Sequence, residues 1–216
     1  LAALHWLGAR HPGPVRLSEL GASAGLNLMA DRFAVATPVG PLGAAVPALT
    51  LHPDWRAGVP AGPAPRVTDR GGCDIRPIDP GAERLRLIAY IWPDQPERLR
   101  LTQAAIETAE TVPEWADAAD WLAARLVRPW HGLHLVYHTI AWQYFAPQTQ
   151  ARATAALEAA GARSCGGSAV AWLSMENDGT MPGAALTLRL WPGGITHTLG
   201  RIDFHGRWID WRAAPL

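Results

Sequence analysis

The stretch LSELGASAGLNL, Leu17 to Leu28, decides which fold the sequence predicts. A short strand-like segment runs into a glycine-rich turn, and a helix-like pattern follows that turn. The turn GASAG fits two incompatible motifs. In a GxSxG nucleophile elbow, Ser23 would be the attacking group. In the first loop of a nucleotide-binding βαβ unit, Ser23 would only replace a glycine beside a ligand.

Length and composition favour a single α/β domain over residues 1–216. Hydrophobic residues make up 49% of the chain and charged residues 18%, which is typical of globular proteins. The formal net charge is zero, so the sequence lacks the broad basic footprint of a nucleic-acid-binding protein. All 19 basic residues are arginine, which excludes Schiff-base and P-loop chemistry that needs a lysine.

Cysteine usage and hydropathy predict a cytoplasmic protein. Cys73 and Cys165 form no CxxC pair and indicate no disulfide framework. The sequence has no signal peptide and no run of 18 apolar residues, so we expect no membrane span. Because the chain begins at Leu1, inside an apolar pattern, we expect a further N-terminal segment to precede it.

The apolar pattern predicts strands that alternate with helices. A segment rich in proline and glycine, at about 35–65, reads as an inserted set of loops with a hairpin. Gly161 is expected to end a helix, and the turn at Gly193 and Gly194 to join two antiparallel strands. The predicted strands lie at 13–20, 65–74, 132–140, 168–176, 184–194 and 202–211, and the helices at 25–33, 85–109 (in two pieces), 119–126 and 147–162.

This order predicts a doubly wound, Rossmann-like three-layer sandwich, with a mostly parallel sheet and an antiparallel C-terminal strand pair. A serine hydrolase would need Asp178 and His205 as the acid and base that follow Ser23 in the chain. That alternative is strained, because Ser23 follows the first visible strand, whereas a nucleophile elbow normally lies in mid-sheet. A GxGxxG dinucleotide loop would require its third glycine at Leu26, where close helix packing needs a glycine.

The spacing of Glu19, Gly21, Ser23 and Gly25 resembles the ExGxGxG loop of class I S-adenosylmethionine-dependent methyltransferases. The resemblance implies that S-adenosylmethionine is the cofactor, with its methionine part beside this loop and the helix N-terminus that follows. It also implies that Asp74, after the second strand, accepts hydrogen bonds from both ribose hydroxyls. Asp117 or its neighbouring backbone would meet the adenine. The implied cofactor contacts are Glu19, Gly21, Ala22, Ser23, Gly25, Asn27, Asp74 and Asp117.

Asp74 lies far beyond the roughly 20 residues expected after such a loop, and the insertion at 35–65 must account for the difference. Five segments narrow the resemblance: ELGASAGLNL, RGGCDIRPID, YIWPDQPERLR, HTIAWQYF and HGRWIDW. Together they resemble an uncharacterised bacterial family, the domain of unknown function 2332, over nearly the whole chain. That family adds an N-terminal helical region and has no settled activity.

The strand GLHLVYHTI places further candidate residues at the crevice where ligands bind in such sheets. His138 is the candidate general base, because an unperturbed imidazole titrates near neutral pH. Thr139, Trp142 and Tyr144 are predicted to line the acceptor site. We predict no metal site, because only His134 and His138 of the neighbouring histidines share a strand face.

These patterns predict transfer of a methyl group from S-adenosylmethionine to a small-molecule or other unknown acceptor. No NPPY-like tetrapeptide follows the strand, so an amino group on a nucleobase or glutamine is not favoured. Two alternatives stay open. One is a non-catalytic binding or regulatory protein with the same fold, and the other is a serine hydrolase that uses Ser23.

Overall fold

The computed structural model describes residues 1–214 as a mixed α/β fold built on a nine-stranded sheet. Its α-helices are α1 (Ala2–Gly8), α2 (Arg84–Ala89), α3 (Pro96–Thr108), α4 (Ala118–Leu126) and α5 (Pro147–Ala162). Short 3₁₀ helices lie at Leu26–Arg32 and Trp142–Tyr144. The strands are β1 (Pro14–Leu20), β2 (Phe33–Val35), β3 (Leu42–Gly43), β4 (Leu49–Leu51), β5 (Asp54–Trp55), β6 (Arg66–Asp74), β7 (Glu114–Trp115), β8 (Gly132–Thr139), β9 (Ser168–Glu176), β10 (Ala184–Trp191), β11 (Ile195–Ile202) and β12 (Trp208–Trp211).

The large sheet is mostly parallel and has the order β5-β12-β11-β10-β9-β8-β1-β6-β7. Strands β7, β6, β1, β8 and β9 are parallel to one another. The pairs β9–β10, β10–β11 and β11–β12 are antiparallel. The predicted reversal near the C-terminus is therefore confirmed, but it involves more strands than the expected pair.

The sequence analysis did not predict β11. This strand pairs with β10 across the Gly193–Gly194 turn, where we had expected the chain to reach the last strand directly. The first half of β11 is largely exposed, and its sequence ITHT has no apolar alternation that would mark a half-buried strand. Pairing with β10 and β12 stabilises it instead.

Hydrophobic clusters lie on both faces of the parallel strands. Strand β8 contributes side chains to both clusters. Leu133, Leu135 and Tyr137 pack beneath α1 and the first 3₁₀ helix, whereas Val136 packs towards α4 and α5. Successive side chains of a strand point to opposite faces. A strand covered on both faces is therefore apolar almost throughout, as the clearest strand of the sequence is.

The insertion predicted at 35–65 has its own short strands. β2 pairs antiparallel with β3 and parallel with β4 in a separate small sheet, and β5 joins the edge of the large sheet beside β12. The expected hairpin is thus present as the β2–β3 pair. The chain returns from the insertion to β6, which lies next to β1 in the large sheet.

Two local predictions need correction. The predicted extent of α5, 147–162, is confirmed, but Gly161 lies within the helix and is not the residue that ends it. A Cβ atom at residue 161 would lie 2.5 Å from ring atoms of Trp191, so glycine is required there for close packing rather than as a stop signal. The helix after the glycine turn is a seven-residue 3₁₀ helix interrupted at Met29, so it offers a weaker dipole than the predicted helix.

Within residues 1–214, no helix combines the length and apolar character that a membrane crossing requires. The break in the helical segment at 85–109 and the cap at Asp117 are both as predicted.

Candidate functional site

A cleft of about 490 Å³ opens where four neighbouring parallel strands end. We call it the strand-end cleft. Ligands of open α/β sheets bind outside the carboxyl ends of the strands, because loops from several strands converge there. The ends of β1, β6, β7 and β8 supply most of its lining, and α5 supplies one wall. The lining residues are Gly21, Cys73, Asp74, Ile75, Ala116, Asp117, Ala118, Ile140, Ala141, Tyr144, Phe145, Ala146 and Thr149.

The glycine-rich turn forms one edge of this cleft. Gly21, Ser23 and Gly25 have φ angles of 70°, 52° and 69°, so the turn takes the left-handed conformation at every second residue. Glycine adopts that conformation without steric cost, and Ser23 occupies it as the middle position of the motif predicts. A Cβ atom on Gly21 would lie 2.6 Å from the Cβ of Ala141, so this position also requires glycine for space.

Hydrogen bonds to the end of β6 hold the turn in place. The backbone N–H groups of Gly21 and Ala22 both donate to the carbonyl oxygen of Cys73, at 3.0 Å each. The Ser23 N–H donates to Oδ2 of Asp74 at 2.8 Å. Ala22, Ser23 and Gly25 therefore shape the turn, and only Gly21 of this segment lines the strand-end cleft.

Asp74 ends β6 and lines the cleft, as predicted for the acid of the second strand. Its Oδ2 accepts the Ser23 N–H, and its Oδ1 accepts the Arg76 N–H at 2.8 Å. A carboxylate has about four lone-pair sites, so two protein donors leave one site free on each oxygen. Asp74 is thus held rigidly and can still accept two further hydrogen bonds from a ligand.

Asp117 lines the cleft but uses its carboxylate to cap α4. Oδ1 accepts the N–H groups of Ala119 at 2.9 Å and Asp120 at 3.2 Å, and Oδ2 accepts the Thr149 hydroxyl at 2.9 Å. Burial opposes ionisation, but these hydrogen bonds outweigh it and hold the pKa of Asp117 below its usual value. A ligand here would meet the backbone beside Asp117 more readily than its side chain.

Glu19 and Asn27 lie away from the strand-end cleft, contrary to their predicted role as cofactor contacts. Glu19 is only 2% exposed, and it accepts hydrogen bonds from Asn27 Nδ2 at 2.9 Å and from the Tyr137 hydroxyl at 3.4 Å. Burial raises the pKa of Glu19 to about 8. Its side chain braces the start of the turn from the opposite face of the sheet.

His138 is placed where it cannot serve as the predicted base. It is 1% exposed and does not line the cleft. Trp172 donates its indole N–H to Nε2 at 2.9 Å, so the ring proton lies on Nδ1 and is donated to Glu176 Oε1 at 2.7 Å. Both ring nitrogens are engaged, and the ring stacks on Trp142 with 4.8 Å between centroids.

Glu176, which the sequence analysis missed, connects His138 to the cleft. The same Oε1 atom accepts the N–H groups of Ala141 and Trp142 at 3.0 Å each. These bonds fix the turn after β8, where Ile140 has a φ of 53°, an uncommon conformation for a β-branched residue. His138 and Glu176 therefore position the turn that lines the cleft. Glu176 lies near His138 because β9 pairs with β8. The two residues are far apart in the sequence, so the sequence alone does not reveal this contact.

The residues predicted to line the acceptor site lie in three different environments. Tyr144 lines the strand-end cleft, Trp142 packs on His138, and Thr139 lines a different cavity on the opposite face of the sheet. Phe145 and Thr149 also line the cleft and were not predicted. Phe145 directly follows the predicted Tyr144 in the sequence, whereas the contribution of Thr149 depends on how α5 packs.

The residues of the hydrolase alternative do not come together. Asp178 forms an ion pair with Arg201 at 2.9 Å, and His205 lies in the turn between β11 and β12. β11 is the fourth strand from β1 in the sheet, which corresponds to roughly 19 Å. No histidine is among the described residues that line the cleft beside the turn.

His134 and His138, the two histidines that share a strand face, both form hydrogen bonds with other side chains. His134 Nε2 lies 2.8 Å from the buried Ser18 hydroxyl, and His138 bonds to Glu176 and Trp172. In the part of the chain that the structure describes, no three His, Cys, Asp or Glu side chains are grouped to hold a metal ion.

Comparison with known proteins assigns the chain to a family. The family model described as "Uncharacterized protein conserved in bacteria (DUF2332)" matches residues 1–211. The chain belongs to this family. No curated protein and no solved structure gives a significant match. The match agrees with the family resemblance seen in the sequence. The description of the family names no activity.

Proposed function

We propose that this DUF2332 protein binds S-adenosylmethionine in the strand-end cleft and transfers its methyl group to an acceptor. The observation that carries the proposal is the pairing of Asp74 with the left-handed turn 21–25 at one edge of the cleft. The rigid carboxylate retains an acceptor site on each oxygen, which suits the two neighbouring hydroxyls of a ribose.

The strand order supports a Rossmann-like arrangement of this part of the sheet. With the inserted strands β2 to β5 left out, the parallel strands β7-β6-β1-β8-β9 are the third, second, first, fourth and fifth along the chain. This is the order of a doubly wound nucleotide-binding sheet, in which ligands bind where the order reverses. The cleft lies across that reversal, between the ends of β1 and β8.

The lining of the cleft suits the other parts of the cofactor. Tyr144 and Phe145 offer aromatic surface for an adenine near the backbone of 116–118, and Gly21 allows close approach at the methionine end. When bound, S-adenosylmethionine supplies a sulfonium methyl group for transfer. The protein contributes chiefly by positioning, because such transfer requires an in-line approach of the acceptor.

Calorimetric titration with S-adenosylmethionine and S-adenosylhomocysteine tests the proposal. We expect micromolar binding, around −8 kcal/mol. Asp74→Ala should weaken binding about 100-fold, because it removes two hydrogen bonds to a charged acceptor. Asp94→Ala is the matched control, since Asp94 is exposed and does not line the cleft, and the affinity of this variant should equal that of the wild type. Absence of binding, or equal loss in both variants, would contradict the proposal.

A non-catalytic binding protein is the second candidate, and the engagement of His138 favours it. The titratable side chains in the cleft lining are Cys73, Asp74, Asp117 and Tyr144, and burial raises the pKa of Cys73 to about 12. No histidine, the side chain that ordinarily titrates near neutral pH, is among the described residues of the lining. Incubation with S-adenosylmethionine and a bacterial metabolite extract separates the candidates. A transferase releases S-adenosylhomocysteine, whereas a binding protein binds the cofactor and leaves it intact.

A further inference from the structure

A second pocket, of about 290 Å³, opens to solvent where β8 and β9 start and where α4 and α5 end. We call it the strand-start pocket. It lies at the other end of β8 from the strand-end cleft, roughly 20 Å away along the strand. None of its described lining residues is acidic. The polar side chains of the lining are those of Arg128, Trp130, His134, Arg163, Ser164 and Ser168.

Both ends of the described chain lie on the other face of the sheet from this pocket. Leu1 lines a groove beside α1 and β1, and the carbonyl oxygen of Ala214 accepts the indole N–H of Trp6 in α1. Helix α1 packs in one hydrophobic cluster, whereas α4 and α5 pack in the other. The strand-start pocket is therefore formed only by internal segments of the chain.

A group of buried charges lies behind one wall of this pocket. Arg16 Nε donates to Asp69 Oδ2 at 2.7 Å, and Arg125 Nη2 donates to Asp69 Oδ1 at 2.8 Å. Both arginines are less than 10% exposed. One carboxylate thus pairs with two guanidiniums, so the group keeps one positive charge. The Arg16 guanidinium lies 4.3 Å from the ring centroid of Trp130, whose indole lines the pocket.

His134 presents a neutral N–H donor to the pocket. Arg125 Nε donates to Ser18 Oγ at 2.7 Å, so the buried Ser18 hydroxyl donates in turn to His134 Nε2 at 2.8 Å. The ring proton must then lie on Nδ1. Burial and the charges of Arg16 and Arg125 lower the pKa of His134 to about 3, which keeps the ring neutral. Since Nε2 points to Ser18, the Nδ1 side of the ring faces the pocket.

Trp130 carries a second donor in the same lining. Its indole Nε1 is buried and has no hydrogen-bond partner in the part of the chain that the structure describes. Buried polar groups ordinarily have a partner, because an unpaired one loses its hydration without compensation. An acceptor bound in the pocket would supply that partner.

The net charge around the pocket is positive. Arg128 and Arg163 are exposed, line the pocket and form no ion pair within residues 1–214. With the charge of the buried group they make three positive charges. The carbonyl ends of α4 and α5 each carry about half a negative charge, which offsets about one of the three. A surplus of about two positive charges matches a dianion.

We propose that the strand-start pocket binds the dianionic phosphate group of a small phosphate monoester. His134 Nδ1–H and the Trp130 indole N–H donate to phosphate oxygens, and Arg128 and Arg163 provide countercharge. Guanidinium groups form strong, charge-assisted hydrogen bonds with phosphate. The organic substituent lies against the apolar part of the lining, which includes Val170. This site is separate from the strand-end cleft and does not depend on cofactor binding.

A series of phosphate esters tests the role of charge at about pH 8, where a monoester has lost its second proton. Methyl phosphate is then a dianion, dimethyl phosphate a monoanion and trimethyl phosphate neutral. Phosphorus NMR measures the affinities at constant ionic strength, because salt screens exposed charges. We expect methyl phosphate to bind about tenfold more tightly than dimethyl phosphate, and trimethyl phosphate not to bind. Phenyl phosphate should bind more tightly than inorganic phosphate, because its ring buries apolar surface.

Variants locate the site. Arg128→Gln and Arg163→Gln should each weaken methyl phosphate binding about tenfold, because each removes a charge-assisted hydrogen bond. Arg98→Gln is the matched control, since Arg98 is exposed on α3 and does not line the pocket, and this variant should bind as the wild type does. In isotope-labelled wild-type protein, the NMR signal of His134 Nδ1–H should shift during the same titration.

Five outcomes would each overturn the proposal. Equal affinity for methyl and dimethyl phosphate would show that the pocket does not select a dianion. Tighter binding of inorganic phosphate than of phenyl phosphate would show that it does not select an ester. Equal weakening by Arg98→Gln would indicate non-specific attraction to positive charge. Unchanged binding in both pocket variants, or an unmoved His134 signal, would place the anion elsewhere. Titration of the same samples with S-adenosylhomocysteine reports separately on the strand-end cleft.

Discussion

At the scale of single residues, Ser23 distinguishes a ligand loop from a nucleophile elbow. Its φ of 52° is a conformation that glycine adopts freely, so Ser23→Gly should keep stability within about 1 kcal/mol. If the serine only replaces a glycine, affinity for S-adenosylmethionine should stay within about threefold, equivalent to ~0.7 kcal/mol. Urea unfolding and calorimetry measure the two quantities. An esterase activity that Ser23→Gly abolishes would instead identify a nucleophile.

Glu19 gives a prediction about pH at the same scale. Burial raises its pKa to about 8, above the value of an unfolded carboxyl near 4.5. Between these values the folded state holds a proton that the unfolded state has lost, so stability falls as pH rises and the fall ends above about pH 8.

Glu19→Gln keeps a neutral side chain that can still accept the Asn27 hydrogen bond. We therefore expect it to equal the wild type near pH 4.5 and to exceed it at pH 9 by roughly 3 to 5 kcal/mol. Urea unfolding of both proteins at the two pH values measures this difference. A difference that does not change with pH would contradict a raised pKa.

At the scale of secondary structure elements, α5 shows a local preference overridden by packing. Alanine stabilises a helix interior by about 1 kcal/mol relative to glycine, yet a Cβ atom at Gly161 would overlap the Trp191 ring. Overpacking of this kind costs about 1 to 3 kcal/mol. Gly161→Ala should thus destabilise the wild type but stabilise, or leave unchanged, a Trp191→Leu background. Thermal unfolding of the four proteins measures the coupling, and additive effects would contradict the contact.

The sequence predicted elements whose signals are local. The buried strand β8 was visible in GLHLVYHTI, and the cap of α4 was visible in Asp117, because apolar runs and capping residues act within a few positions. Gly161 and β11 were misjudged because their environment comes from distant chain: Trp191 in one case, and flanking strands in the other.

The residues of the candidate site also fall into those that local sequence signals predict and those that depend on distant parts of the chain. Gly21 could be placed from motif spacing and Asp74 from its position at the end of a predicted strand, because the ends of neighbouring parallel strands meet at one edge of a sheet. The role of His138 could not, because it depends on Glu176 and Trp172, which the pairing of β8 with β9 brings alongside. Thr139 also differs in role from its neighbours, since alternate residues of a strand face opposite sides.

At the scale of the whole molecule, the sheet divides into two parts with different environments. The parallel strands β7, β6, β1 and β8 end at the strand-end cleft, while β10 to β12 form an antiparallel extension without any residue in the cleft lining. A ligand that binds only the folded state suppresses the openings of the segments that contact it. Cofactor binding should therefore act on one part of the sheet alone.

Hydrogen–deuterium exchange with saturating S-adenosylhomocysteine measures this effect. We expect slower exchange in 21–25, 74–78, 116–120 and 140–146, which contribute to or adjoin the cleft, and no change in 184–211. Asp74→Ala at the same ligand concentration should lose the protection, because the carboxylate that would hold the ribose is absent. Protection spread evenly over the chain would indicate global stabilisation without a defined site, and protection concentrated in β10 to β12 would place the ligand away from the cleft. Either result would contradict the proposed binding mode.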